Sequence, residues 1–297
     1  MSQRSVVVIG NFDGVHRGHT ALIRAAREAE LDAQLVAVTF WPHPMSVIRP
    51  DHAPALLSSL DERRRLLAAA GVQRVEVVPF TSEVAQWSPA EFVDRVLRPL
   101  DPVRVVVGAN FRFGFRASGD VETLAGLLAG TATVTGLPLV DAHAGPDSST
   151  RVREAIAAGD LDLAGELLGR AYRFTGVVVH GERRGRELGF PTANLIVSAD
   201  RAVPPDGVYA GWVTRLDPPG QPRWPAAISV GTNPTFDGRF RTVESYVLDR
   251  TDLDLYDLEI AVDFVHRLRG QIRYTGPEAL IEQMHRDVDQ ARATLLP

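Results

Sequence analysis

The stretch "VVVIGNFDGVHRGHTALI", residues 6–23, joins an apolar run to an amphipathic segment through three glycines and two histidines. The Val/Ile run reads as a buried strand. Glycine costs backbone entropy, and histidine favours neither helix nor strand, so the loop needs a reason beyond folding. His16 and His19 are three apart and share one face if a helix begins here. Gly10, Gly14 and Gly18 let the backbone approach a ligand. A helix N-terminus at this point offers unpaired amides and a partial positive charge to an anion. Two imidazoles beside such amides suit a phosphate chain and can donate to oxygens that gain charge during reaction. Asp13-Gly14 alone also fits a turn. As a zinc site, His16 and His19 lack a third ligand in register.

The strand–loop–helix pattern recurs. Strands are expected at 6–9, 34–40, 75–79, 103–108 and 133–140, with helices at 20–30, 60–70, 89–97 and 121–128. Val-rich strands each followed by a helix predict a doubly wound parallel sheet. Ligands of such sheets bind beyond the carboxyl ends of the strands. The opening loop, "TFWPHP" (39–44) and "GANFRFG" (108–114) all fall there. After the polar loop "DAHAGPDSST" (141–150) the pattern changes. Two short helices, 151–158 and 162–168, precede strands at 172–180, 207–215, 226–231, 242–248 and 258–265, then a closing helix over 277–295. Consecutive short strands predict an antiparallel barrel or sandwich. Two domains are expected, 1–169 and 170–297, without internal repeats or low-complexity segments.

Composition narrows the function. The formal charge of −5 gives no nucleic-acid footprint and no polybasic membrane anchor. No apolar run reaches the ~18 residues of a membrane span. The first strand begins within a few residues of Met1, so no signal peptide is expected. Cysteine is absent, which excludes disulfides, thiol catalysis and Cys-based metal sites. Lysine is absent too, and all 32 basic residues are arginine. A Walker-A loop, a Schiff-base lysine and a protein-kinase lysine are therefore excluded. If the protein handles ATP, it does so with backbone amides, histidine, arginine and metal. A cytoplasmic enzyme is the expectation.

"GNFDGVHRGH" carries an H-x-G-H signature, and the chain resembles the bacterial bifunctional riboflavin kinase/FAD synthetase family. "LDERRRLLAAAGV", "FTSEVAQWSPAEFV", "VVVGANFRFGFRASGD" and "SSTRVR" are similar to blocks of its adenylyltransferase module. "GRAYRFTGVVVHGERRGRELGFPTANL", "ISVGTNPTFDG", "TVESYVLD" and "LYDLEIAVDFVHRLRGQIRY" are similar to its kinase module. The resemblance implies an N-terminal Rossmann-like nucleotidyltransferase domain and a C-terminal antiparallel β-barrel riboflavin kinase domain with a closing helix. It implies two reactions: ATP phosphorylates riboflavin to FMN, and a second ATP adenylylates FMN to FAD with release of pyrophosphate. Mg²⁺ is the implied cofactor. Riboflavin, FMN and ATP are the implied partners, with no nucleic acid, no membrane and at most a transient homo-oligomer.

Residue by residue, the resemblance gives His16 and His19 catalytic roles in the first module. It assigns ATP and phosphate contacts to Gly10, Phe12, Gly14, Gly18, Asn110 and Arg153. Arg153 would clamp phosphates bidentately. Phe40, Pro42, His43, Phe113 and Arg267 are the implied flavin contacts. Many relatives carry an aspartate at Asn110, whose amide brings an oxygen without charge. Trp41 stands where relatives are often acidic. In the kinase module, Gly181, Gly189 and Thr192 are implied phosphate contacts, and Thr192 and Asn194 implied Mg²⁺ ligands, hard oxygen donors of the kind that ion accepts. Glu244 shares a strand face with Thr242, Tyr246 and Leu248 and matches the family's general base. Two other readings stay open: riboflavin kinase alone beside a decayed adenylyltransferase module, and a non-catalytic flavin sensor. Neither would require both sets of residues.

Overall fold

A computed structural model describes residues 4–138, 147–180, 189–217, 220–232, 241–272 and 274–296. The chain packs as two compact units, Met1–Ser149 and Thr150–Pro297.

The first unit is built on five parallel strands in the order β3-β2-β1-β4-β5. They are β1 (Ser5–Ile9), β2 (Gln34–Trp41), β3 (Arg74–Pro79), β4 (Pro102–Gly108) and β5 (Thr133–Leu137). Helices α1 (Arg17–Ala29), α2 (Pro44–Ile48), α3 (Leu60–Ala69), α4 (Pro89–Phe92) and α5 (Val121–Leu127) lie between them. Alternation along β1 shows that both faces are covered. Val6 and Val8 pack with Leu22, Ile23 and Ala26 of α1 and Leu67 of α3. Val7 and Ile9 pack with Phe92, Leu97 and Leu124 on the other side. The expected doubly wound sheet is present. Its strand order reverses between β1 and β4, so a crevice opens beyond their carboxyl ends.

Two local expectations change. The first helix starts at Arg17 rather than residue 20, with His16 at its N-cap, which moves Gly18 and His19 into the first turn. The 89–97 helix is α4 continued by one wide turn, Val93–Leu97.

The second unit begins with α6 (Ser149–Ala158, whose first residue closes the first unit) and α7 (Leu161–Leu168). A six-stranded antiparallel sheet follows, in the order β6-β11-β8-β9-β10-β7. The strands are β6 (Tyr172–Val177), β7 (Thr192–Val197), β8 (Gly207–Arg215), β9 (Arg223–Thr232), β10 (Arg241–Val247) and β11 (Glu259–Gly270). Just past β6, Val179 bridges to Asn194 of β7, so the first and last strands meet and the sheet curls into a barrel. Strand β7 was not expected; its Leu195 and Val197 point into the core behind the Gly-Phe-Pro turn signal. The closing helix α8 (Pro277–Leu295) packs Ala291 and Leu295 against Ala210 and Leu248. Among the described residues no helix is long and apolar enough to cross a membrane.

Candidate active sites

A cleft of about 370 Å³ opens at the switch point of the first unit, lined among others by Gly10, His16, Gly18, His19, Asn110 and Ser149. The His16 carbonyl accepts the first intrahelical bond, from Thr20 N at 3.0 Å. That leaves the amides of Arg17, Gly18 and His19 at the cleft. His16 makes no side-chain capping bond, and the first turn holds no acidic residue. The α1 N-terminus thus presents partial positive charge to the cavity. Ser148 and Ser149, the last residues of the first unit, line the same cleft.

The two imidazoles stack, centroids 3.7 Å apart and planes at 28°, and Phe12 meets His19 edge-on at 5.0 Å. His19 Nδ1 is buried without a hydrogen-bond partner among the described residues. Burial, then the fields of His16 and Arg63, hold the His19 pKa well below its ordinary value of 6.5. His19 is therefore neutral at neutral pH. Gly18 leaves room for the histidine: a Cβ there would lie 3.1 Å from the His16 ring and press on that imidazole.

The loop carrying these groups is held by a buried ion pair that sequence reasoning missed. Asp13 accepts from Leu57 N (3.0 Å), Ser58 N (3.0 Å), Ser58 Oγ (3.0 Å) and Arg63 Nη2 (3.4 Å). Both partners are buried. Arg63 also donates to Thr39 Oγ1 and the Phe40 carbonyl, and lies 5.4 Å from the centroid of the Trp41 ring. This anchoring holds Phe12 (φ 50) and Val15 (φ 41) in the left-handed region, where non-glycine residues are strained. Ser149 Oγ donates to the Asp13 carbonyl at 2.9 Å, tying the end of the first unit to the same loop. Asp13 had read as a turn residue, and nothing in one sequence links it to a residue fifty positions away.

Other expected residues are sorted by the fold. Phe12 is fully buried under the loop, and a Cβ at Gly14 would meet Leu57 at 2.9 Å. Both support the loop from below and neither lines the cleft. Phe40 and Phe113 lie in the core cluster around Phe92, whereas Phe111, which was not singled out, lines the cleft. The Trp41–Pro42 bond is cis. Buried His43 caps α2, accepting from Met45 N on Nδ1, with Nε2 3.5 Å from the Asn11 amide. Asn11 and buried Asp147 line the cleft and were also not anticipated. Arg153 stands one turn beyond Ser149 along α6, in the stretch that packs with the second unit.

The second unit has its own cleft, about 310 Å³, between the outer face of the sheet and α8. Register builds it. Glu244 of β10 stands opposite Asn194 of β7 and Ser229 of β9, and Tyr246 stands opposite Thr192. Directly paired residues share a face, so Thr192, Asn194, Glu244 and Tyr246 form one patch. Thr242 Oγ1 donates to Glu244 Oε1 at 3.2 Å, and Asn194 Nδ2 donates to the Thr192 carbonyl at 3.2 Å. Thr192 and Glu244 line the cleft, with buried Asn194 beside them. Arg269 and Asp287 close it through a bidentate pair at 2.8 and 2.6 Å.

Gly189 (φ 87) has open space around it and lies off the cleft wall. Gly181 lies outside the described residues. Arg267, expected at the flavin, is not in this cleft: it is exposed and donates to the Asp206 carbonyl at 3.3 Å. Strand alternation turns it away from α8, which Leu268 faces. A bulge between Arg267 and Arg269 then breaks the alternation and brings Arg269 into the cleft instead. No cluster of three His, Cys, Asp or Glu able to hold a metal occurs among the described residues.

Comparison with known proteins adds two family models and several full-length relatives. Residues 1–151 match the FAD synthetase family and residues 168–295 the riboflavin kinase family. A bifunctional riboflavin kinase/FMN adenylyltransferase of Pseudomonas fluorescens is 40% identical over 98% of this chain and 93% of its own length. One from Listeria monocytogenes is 35% identical, covering 97% and 91%. A solved structure described as a macrolide-efflux protein from Streptococcus pneumoniae superposes with a TM-score of 0.86 at 32% identity, over 98% of this chain and 95% of that one.

Proposed function

The chain belongs to the bifunctional riboflavin kinase/FMN adenylyltransferase family, and from that premise we propose how its two clefts divide the work. The protein phosphorylates riboflavin with ATP and adenylylates the resulting FMN with ATP, forming FAD and pyrophosphate. The carrying observation is that each unit holds a separate cleft with complementary chemistry. One is built from the α1 N-terminus and two imidazoles. The other has a carboxylate among oxygen donors.

In the first cleft the triphosphate of ATP lies across the amides of Arg17, Gly18 and His19. An FMN phosphate oxygen attacks the α-phosphorus, the bond to the β,γ-pyrophosphate breaks, and His16 and His19 donate to the oxygens that gain charge. Entry of the anion raises the proton affinity of His19, so a ring that is neutral at rest becomes a stronger donor when needed. The clamp on the leaving pyrophosphate is Arg153 by the family resemblance of its "SSTRVR" block alone. Asp147 supplies a negative charge that Asn110 lacks, which suits a divalent ion carried in on the phosphates.

In the second cleft Glu244 takes the proton of the ribityl 5′-hydroxyl as its oxygen attacks the γ-phosphorus of ATP and ADP departs. The Thr242 hydroxyl orients the carboxylate. Thr192 and Asn194 would hold Mg²⁺ beside the phosphates; two neutral oxygen donors fit an ion that keeps water and phosphate as its other ligands. When bound, Mg²⁺ offsets charge on the transferring phosphoryl group. Catalysis here is otherwise a matter of positioning, which the paired strands supply. The protein works in the cytoplasm on small molecules, and neither nucleic acid nor membrane takes part; any homo-oligomer is transient.

Product analysis tests the reading. Purified protein with riboflavin and MgATP yields FMN first and FAD after it, whereas supplied FMN goes to FAD without riboflavin. Accumulation of FMN with no FAD would leave only the kinase.

A further inference from the structure

Tyr274 lines the second cleft, and its hydroxyl oxygen is buried without a hydrogen-bond partner. A buried, unsatisfied hydroxyl costs the desolvation of its proton with nothing in return. The acceptors on the same wall are already engaged. Asp287 Oδ1 accepts from Arg269 Nε and Gln283 Nε2, and its Oδ2 accepts from Arg269 Nη2. Ser229 Oγ accepts from Gln271 Nε2 at 3.1 Å. Arg269 is itself a donor, its third nitrogen given to the Gly270 carbonyl. The tyrosine hydroxyl therefore has no acceptor within the described residues.

The cleft is chemically two-ended. Thr192 and Glu244 lie on the sheet, where the proposed phosphoryl transfer occurs, while Ile272, Leu280 and Met284 supply an apolar wall from the 272–288 segment that carries Tyr274. Of the substrate's two parts, the ribityl chain carries its reacting hydroxyl toward Glu244. Only the flat ring system suits an apolar wall, and its carbonyl oxygens and bare ring nitrogens are hydrogen-bond acceptors. We infer that Tyr274 is a specificity-determining residue of the kinase reaction, its hydroxyl donating to an acceptor on the edge of the flavin ring. This rests on the assignment of the riboflavin kinase reaction to this cleft. Recognition of the ring by one directed donor lets the kinase reject a flat apolar molecule that lacks the acceptor, because Tyr274 would then stay unpaired.

Tyr274→Phe removes only the hydroxyl. The expected result is a rise in KM for riboflavin of roughly 3- to 10-fold with kcat unchanged, since the bond is made equally in ground and transition states. Without ligand, the variant should melt at the same temperature as the wild type or higher, because an unsatisfied polar group has been deleted. A panel of ring-modified substrates, 1-deaza-, 5-deaza-, 2-thio- and 4-thioriboflavin, identifies the acceptor. One of them should bind the wild type more weakly than riboflavin does while Tyr274→Phe no longer distinguishes the two. An unchanged KM, or no coupling to any analogue, overturns the inference. So does a lowered melting temperature with kcat and both KM values moving together, which marks a structural hydroxyl. Glu244→Gln run in parallel separates the two layers. Full kinase activity in that variant removes the reading of the cleft itself, whereas an inactive Glu244→Gln beside a neutral Tyr274→Phe removes only the role of the tyrosine.

Discussion

Glu244 stands directly opposite Asn194 across the β7–β10 pair, on the outer face of the barrel. Their neighbours Val243 and Leu195 point inward and are fully buried. Register therefore sets the core and the polar patch together. A slip of one residue would carry Glu244 and Asn194 into the apolar interior and Val243 and Leu195 out of it, so the cost of misplacing the core protects the geometry of the site. The same two strands place Thr192 opposite Tyr246.

Replacing Glu244 by glutamine keeps the size and one acceptor for the Thr242 hydroxyl but removes the base. Riboflavin phosphorylation should fall by ~10²–10⁴ with little change in substrate binding. Adenylylation of supplied FMN, in the other unit, should proceed at the wild-type rate. Measuring both half-reactions on one preparation gives an internal control, and a parallel fall in both would indicate misfolding.

The Asp13–Arg63 pair predicts a different split. Arg63→Met leaves a buried carboxylate without its counter-charge, and breaking a buried pair costs about 3–5 kcal/mol. The loop that holds Phe12 and Val15 in the left-handed region should relax, taking His16 and His19 with it. FAD formation and the stability of the first unit should fall together while FMN formation continues. A variant that melts early yet adenylylates FMN normally would show that the loop holds its shape without the pair.

Cutting the chain tests where the kinase unit begins. Helix α7 packs on β6 and β11 and buries Leu161, Ala164, Leu167 and Leu168. A fragment of residues 150–297 should phosphorylate riboflavin and make no FAD. Residues 170–297 should do the same chemistry but unfold at lower temperature, because the apolar strip under α7 is bared. Equal melting temperatures would place α7 outside the folding unit.

Much of this architecture was legible because it rests on local pattern. The Val-rich strands of the first unit are buried on both sides, and continuous apolar runs mark such strands. What escaped depends on partners distant in sequence. Asp13 and Arg63 meet only in the fold. The exchange of Arg267 for Arg269 at the kinase cleft follows from a bulge that no alternation rule anticipates. Phe111 and Phe113 stack at 5.4 Å within one loop, yet only the first lines the cleft, and their spacing gives no hint of which. Strand β7 was hidden because a Gly-Phe-Pro turn and two small polar residues mask its first half. Tyr274 carried no signal at all, since an unsatisfied hydroxyl is visible only when its surroundings are.

His19 supplies a prediction with a definite sign. Its pKa in the folded protein lies well below 6.5, through burial first and then the charges of His16 and Arg63. As pH falls below 6.5 the unfolded chain takes up the proton before the folded one does, so stability declines from that point down to the lower folded value and is fully present above 6.5. The melting temperature of the first unit should therefore drop between pH 7.5 and 5.5, and His19→Asn should flatten that drop. Triphosphate binding opposes the shift, because an anion at the α1 N-terminus favours the imidazolium. Binding of a non-hydrolysable ATP analogue near pH 6 should be accompanied by proton uptake, read by titration calorimetry in two buffers of different ionisation enthalpy, and His19→Asn should abolish the uptake assigned to this ring. His19→Ala should in addition slow FAD formation by ~10²–10³, the usual loss for one preorganised donor, and spare FMN formation. Proton uptake identical in wild type and His19→Asn would place the triphosphate away from this histidine and remove it from the site.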